Sequence, residues 1–180
     1  MSYTPLWELP DDLWQKIERL LPPDKPVGSV GRPALPNCQV VNGILFVLRS
    51  GCQWKGLKKE WYGASSSLHA RFQDWCEAGV WKKIYRMMVK YYHKKRRIQW
   101  TWQAVDSKLV AAPLGDDQSG PTPPLETEKY PARRWVVERT LSWQNDFRSL
   151  RVRWAKKSSN WLALLYFASA LILWRMCSLP

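Results

Sequence analysis

The stretch Leu57-Lys58-Lys59-Glu60-Trp61-Tyr62-Gly63-Ala64-Ser65-Ser66-Ser67-Leu68-His69-Ala70-Arg71-Phe72-Gln73-Asp74-Trp75-Cys76-Glu77 decides how this chain is read. Leu57–Trp61 predicts a short helical piece, Tyr62-Gly63 a turn, and Ser65 the cap of a helix over residues 65–77. On a 3.6-residue period Leu68, Phe72 and Trp75 fall on one buried face. Ser66, Ser67, His69, Ala70 and Gln73 point the other way. A short helix, a glycine turn and a second helix with small polar side chains near its start make up a helix-turn-helix-like unit. Small residues let such a helix approach a major groove, which makes Ser66, Ser67, His69 and Gln73 candidate contacts to base edges or phosphates. Small helical bundles with no nucleic-acid role share the pattern, so the charge of the chain has to weigh in.

That charge is lopsided, with 28 Lys+Arg against 15 Asp+Glu in 180 residues and a formal net charge of +13. An excess of this size attracts polyanions, of which DNA is the commonest. It is concentrated after the opening stretch. Gly79 ends the first long helix, and Val80–Tyr92 predicts another, with Val80, Trp81, Ile84, Tyr85, Met88 and Tyr92 inward. Lys82, Lys83, Arg86 and Lys90 face out and run into Lys94, Lys95, Arg96 and Arg97, a basic ridge suited to phosphates.

Upstream, Leu9–Trp14 reads as a helix start, with Trp14, Ile17 and Leu21 on one face before Pro22-Pro23. Residues 22–36 hold five prolines and two glycines and predict a loop. Within it Gly31-Arg32-Pro33 is an extended basic tripeptide, and Arg32 could enter a minor groove. Asn37 predicts a cap for a second helix in which Val40, Val41, Ile44, Leu45 and Leu48 form a broad apolar face ended by Gly51.

Downstream the period changes. Ile98, Trp100, Trp102 and Ala104 alternate with polar residues and lead to Val105-Asp106-Ser107, a strand signal with Lys108–Pro113 as the return strand. Asp106 at the end of such a strand is a well-held carboxylate; a turn-forming Asp reads equally well. Residues 115–131 are polar, contain four prolines and predict a flexible join. Helical periodicity resumes from Ala132 to about Leu150 and includes Arg133-Arg134-Trp135-Val136-Val137-Glu138-Arg139-Thr140. On spacing alone Glu138 pairs with Arg134 one turn earlier. The apolar run Trp161–Trp174 is shorter than the roughly 18 to 20 residues of a membrane span and predicts a buried C-terminal helix.

Four cysteines and two histidines with no Cys-x-x-Cys argue against a zinc site or a disulfide framework. No basic segment followed by an apolar one opens the chain, so a cytoplasmic location and no membrane association are expected.

Several strings resemble bacterial insertion-sequence transposases of the IS-five-like group. Pro22-Pro23, Gly31-Arg32-Pro33, Asn42-Gly43-Ile44-Leu45, Leu48-Arg49-Ser50-Gly51-Cys52-Gln53-Trp54 and Phe72-x-x-Trp75 resemble their N-terminal domain. Val105-Asp106-Ser107 with Pro113-Leu114-Gly115 looks like their first catalytic strand, and Arg134–Thr140 like their C-terminal catalytic helix. The resemblance implies a ribonuclease-H-like DDE enzyme in which three carboxylates hold two Mg²⁺ for phosphodiester displacement. Asp106 would be the first acid and Glu138 the third, both metal-binding, with Arg134 near DNA phosphate.

Only 31 residues separate Asp106 from Glu138, and about half of them form the proline-rich join. A single βαβ unit takes about 30 residues. The resemblance therefore implies an internal deletion that removes the second Asp, since Asp116 and Asp117 lie in the join with no strand to hold them.

The expected fold is mostly α. A helical helix-turn-helix-like domain (1–97) is followed by a truncated α/β ribonuclease-H-like remnant, comprising a strand or hairpin (98–114), the join (115–131) and C-terminal helices (132–180). The expected partner is DNA, namely the terminal inverted repeats of a mobile element, with a second copy or a full-length transposase as protein partner. The expected function is end binding with cleavage and strand transfer lost. The alternative is a DNA-binding regulator or inhibitor of transposition with no catalytic role.

Overall fold

The computed structural model describes residues 8–23, 34–96, 98, 110–115 and 134–178, without the side chains of residues 134–138. Helix α1, Asp11–Glu18, starts after Pro10, whose fixed φ of −57° suits a helix entry. Asp11 and Asp12 complement the dipole of its first turn, and Leu13 and Ile17, one turn apart, are buried. Helix α2, Asn37–Ser50, is the centre of the molecule, because Val40, Val41, Ile44, Leu45, Val47 and Leu48 are all buried. A 3₁₀ turn at Trp54–Gly56, the one-turn helix α3 (Lys59–Tyr62) and α4 (Ser65–Glu77) follow. Then come α5 (Val80–Arg96), α6 (Arg134–Asn145), a 3₁₀ turn at Arg148–Leu150 and α7 (Ser158–Ser178).

Helices α2 and α4 approach each other closely at Gly43. A Cβ there would overlap Leu68 Cδ2 and lie 3.3 Å from Tyr62 Cβ, so any other residue would force the Leu68 side chain or α4 itself to shift. Leu68, Phe72 and Trp75 then bury as their spacing predicts.

Helix α7 lies along α5 through aromatic pairs. Ring centroids are 5.0 Å apart for Trp81–Phe167, 5.4 Å for Tyr85–Tyr166 and 5.6 Å for Tyr91–Trp174. From the first two pairs, which lie side by side, to Tyr91–Trp174 the contacts move toward the C-terminus of both helices, so the two run in the same direction. One hydrophobic cluster runs from Leu9 through α2, α4 and α5 to Trp174. The end of the chain thus completes the core begun at its start. The segment before α7 is also fastened to α2: Ser149 Oγ donates to the Val47 carbonyl at 2.6 Å, and the Arg49 guanidinium lies 5.6 Å from the Phe147 ring.

At 21 residues α7 is longer than the apolar run Trp161–Trp174, and by length and composition it is sufficient to cross a membrane. Its buried residues, among them Phe167 and Ala168, pack into the common core instead.

Other expectations are corrected. No strand occurs among the described residues, so the ribonuclease-H-like hairpin finds no support. In the described part of the expected return strand, the Ala111 carbonyl accepts from Arg153 N–H at 2.8 Å. Gly115 N–H closes a turn on Ala112 at 2.9 Å. Of the expected first strand only Ile98 is described; Trp100–Ser107, with Asp106, lies outside the described residues, as do Arg32, Arg97 and the join beyond Gly115 up to residue 131.

Asn37 is not a cap. It is buried inside the first turn of α2, where its amide donates to the Pro22 carbonyl at 2.8 Å and accepts from Arg71 NH1 at 2.6 Å. Ser65 does not cap α4 either; Ala64 occupies that position.

Candidate nucleic-acid interface

Helix α4 presents an uneven face. Ser66, Ser67 and Ala70 are exposed at its N-terminal half, while Asp74 and Glu77 are exposed further on. Only the first half suits a polyanion, since the two carboxylates would repel it.

His69 and Gln73 do not point away as expected. Both are half-buried: the His69 ring packs 5.0 Å from the Trp54 ring, and its Nε2 lies 3.4 Å from Gln73 Nε2. The 3₁₀ turn at Trp54–Gly56 brings that indole over α4, a contact from earlier in the chain that helical spacing does not encode. Burial pushes the His69 pKa below its ordinary value, and the charge of Lys157 adds to the shift. The ring is therefore neutral at pH 7.

Helix α5 carries Lys82, Lys83, Arg86, Lys90, Lys94, Lys95 and Arg96 and no acidic residue in its 17 positions. All seven are exposed. Lys83, Arg86, Lys90 and Lys94 recur every three or four residues and line up on one side, opposite Val80, Trp81, Ile84 and Met88, which are buried. The stripe is about 16 Å long at 1.5 Å per residue, enough to follow several phosphates of one strand. Like charges one turn apart repel, so this pattern does not serve the stability of the isolated helix. Lys94, Lys95 and Arg96 gain from the helix dipole at its C-terminal end.

The residues proposed for phosphodiester chemistry are not brought together among the described groups. Arg134 opens α6 and Glu138 lies one turn later, but their side chains, like the whole of Asp106, lie outside the described residues. Among the described residues no three His, Cys, Asp or Glu side chains cluster as a metal site would. The structure thus supplies no donor set against which Mg²⁺ can be fitted.

A second feature was not apparent from helical spacing. Trp54, His69, Gln73, Trp154, Lys157 and Asn160 line an open concavity of about 370 Å³ between α4 and the loop that enters α7. Its one sequence signal is a tryptophan among cations, Arg153-Trp154-Ala155-Lys156-Lys157, outside any periodic segment.

Residues 9–85, which span α1 to the middle of α5, match the family described as "Putative transposase of IS4/5 family". A 16.2 kDa protein of insertion element IS402 from Burkholderia cepacia is 34% identical over 125 residues, 68% of this chain and 85% of that protein. The chain belongs to this insertion-sequence transposase family. The matched helices of this transposase-family chain are those that carry the exposed start of α4 and the beginning of the α5 ridge. The match stops short of positions 106 and 138. No solved structure matches the chain.

Proposed function

We propose that this transposase-family protein binds the DNA ends of a mobile element through α3, Gly63 and α4 acting as a helix-turn-helix, with the ridge of α5 on the phosphate backbone. The observation that carries the reading is the acid-free helix α5, whose seven cations are all exposed, beside an α4 whose N-terminal half offers only small side chains. Cations held together against their own repulsion call for a polyanion, and small groups at a helix start allow close approach to base edges. A second copy of the chain, or a full-length transposase, is the proposed protein partner, since the paired ends of an element present two equivalent sites.

Strand transfer is proposed to be absent. The 31 residues between Asp106 and Glu138 leave no room for the strands that would carry a second acid. Asp106 and Glu138 remain the candidate acids for any residual Mg²⁺-dependent nicking.

Fluorescence anisotropy with duplexes that carry the inverted repeats, or random sequence, tests the reading. The expected result is tighter binding to the repeats, unchanged in Asp106→Ala and Glu138→Ala, and no nicking with Mg²⁺. Equal affinity for repeat and random duplexes would overturn the assignment to element ends.

A further inference from the structure

The concavity between α4 and the loop entering α7 has a chemistry of its own. Its inner wall is aromatic: the Trp54 ring lies 5.1 Å from Phe72 and 5.0 Å from His69. Trp154 lines it as well and is 58% exposed, more than any other large apolar side chain described. Leaving an indole in water forgoes the apolar burial that drives folding, so a flat face kept open is suited to a flat ligand. Lys156 and Lys157 follow it, both exposed and both lining the concavity. At about 370 Å³ the space falls at the lower end of the range for small-ligand sites.

An aromatic platform beside two ammonium groups matches the flat base and the phosphate of a nucleotide. We propose that this concavity holds a single unpaired nucleotide of a DNA strand, with its base against Trp154 and Trp54 and its phosphate on Lys156 and Lys157. The site lies apart from the α5 ridge, which follows paired strands. It rests on the DNA-binding reading above and adds the binding of strands with unpaired bases, whatever the base, since every base offers a flat face.

The test uses the full chain and fluorescein-labelled oligo(dC), oligo(dT) and a random duplex, read by anisotropy. Wild type is expected to bind both oligo(dC) and oligo(dT). Trp154→Ala, at an exposed position, should weaken single-strand binding roughly 10- to 100-fold and leave duplex binding unchanged. Lys157→Gln should weaken the binding of both single strands. If Trp154→Ala and Lys157→Gln bind single strands as wild type does, the pocket is overturned. Duplex binding without single-strand binding also overturns it but leaves the DNA-end reading in place. Binding to none of the three probes overturns both.

Discussion

The indole of Trp81 and the ring of Phe167 meet at 5.0 Å and 44°, both essentially inaccessible to water. The contact joins α5, which bears the basic ridge, to α7 at the far end of the chain. The surface proposed to bind DNA therefore depends on α7, the last helix, for support.

Removing that support should be felt everywhere. Phe167→Ala leaves a cavity in the shared core and is expected to cost about 3–5 kcal/mol. Denaturant unfolding should show one cooperative transition that moves as a whole to lower denaturant. An unchanged main transition would mean that α7 folds as a separate unit.

Gly43→Ala tests the closeness of α2 and α4. The added methyl overlaps Leu68 Cδ2, so a loss of about 1–3 kcal/mol is expected despite the better helix propensity of alanine. A thermal melt that rises on substitution would show that the two helices can move apart freely.

The histidine in α4 gives a pH dependence with a definite sign. The folded pKa of His69 is held below its ordinary value of 6.5, so the unfolded chain takes up a proton that the folded chain refuses. Its contribution to stability is fully present above about pH 6.5, is lost as pH falls through that value to the lower folded pKa, and is constant below. The melting temperature of wild type should fall more between pH 8 and pH 5 than that of His69→Gln. Parallel curves for the two proteins would remove the burial argument.

Cys76 provides a check on the same core. Burial, the largest cause, pushes its thiol up to about 12, so little thiolate exists at pH 8. Alkylation at Cys76 should be slow in the native protein and complete in denaturant. Fast native labelling at this position would show that α4 is less well packed against its neighbours than described.

The helices were largely legible because their cores follow simple spacing. Val40, Val41, Ile44, Leu45 and Leu48 in α2, and Leu68, Phe72 and Trp75 in α4, are buried where periodicity puts them. What spacing could not show was contact between distant segments. Asn37 looks like a cap until Arg71 and Pro22 are seen to claim its amide. His69 looks solvent-facing until Trp54 folds over it. The expected return strand finds no support among the described residues, where the Ala111 carbonyl accepts from Arg153 N–H, far along the chain. Trp154 and Asn160 were missed because they meet α4 only through the tertiary fold.

The central claim is that the α5 stripe supplies phosphate contacts, and salt dependence tests it most directly. Each phosphate contact contributes about 0.9 to the slope of log affinity against log salt. The variant Lys83→Gln/Arg86→Gln/Lys90→Gln/Lys94→Gln should bind element-end duplexes more weakly, with a slope shallower by roughly 3 to 4 units. If the variant keeps the wild-type slope and affinity, α5 does not contact the backbone and the account of this surface is wrong.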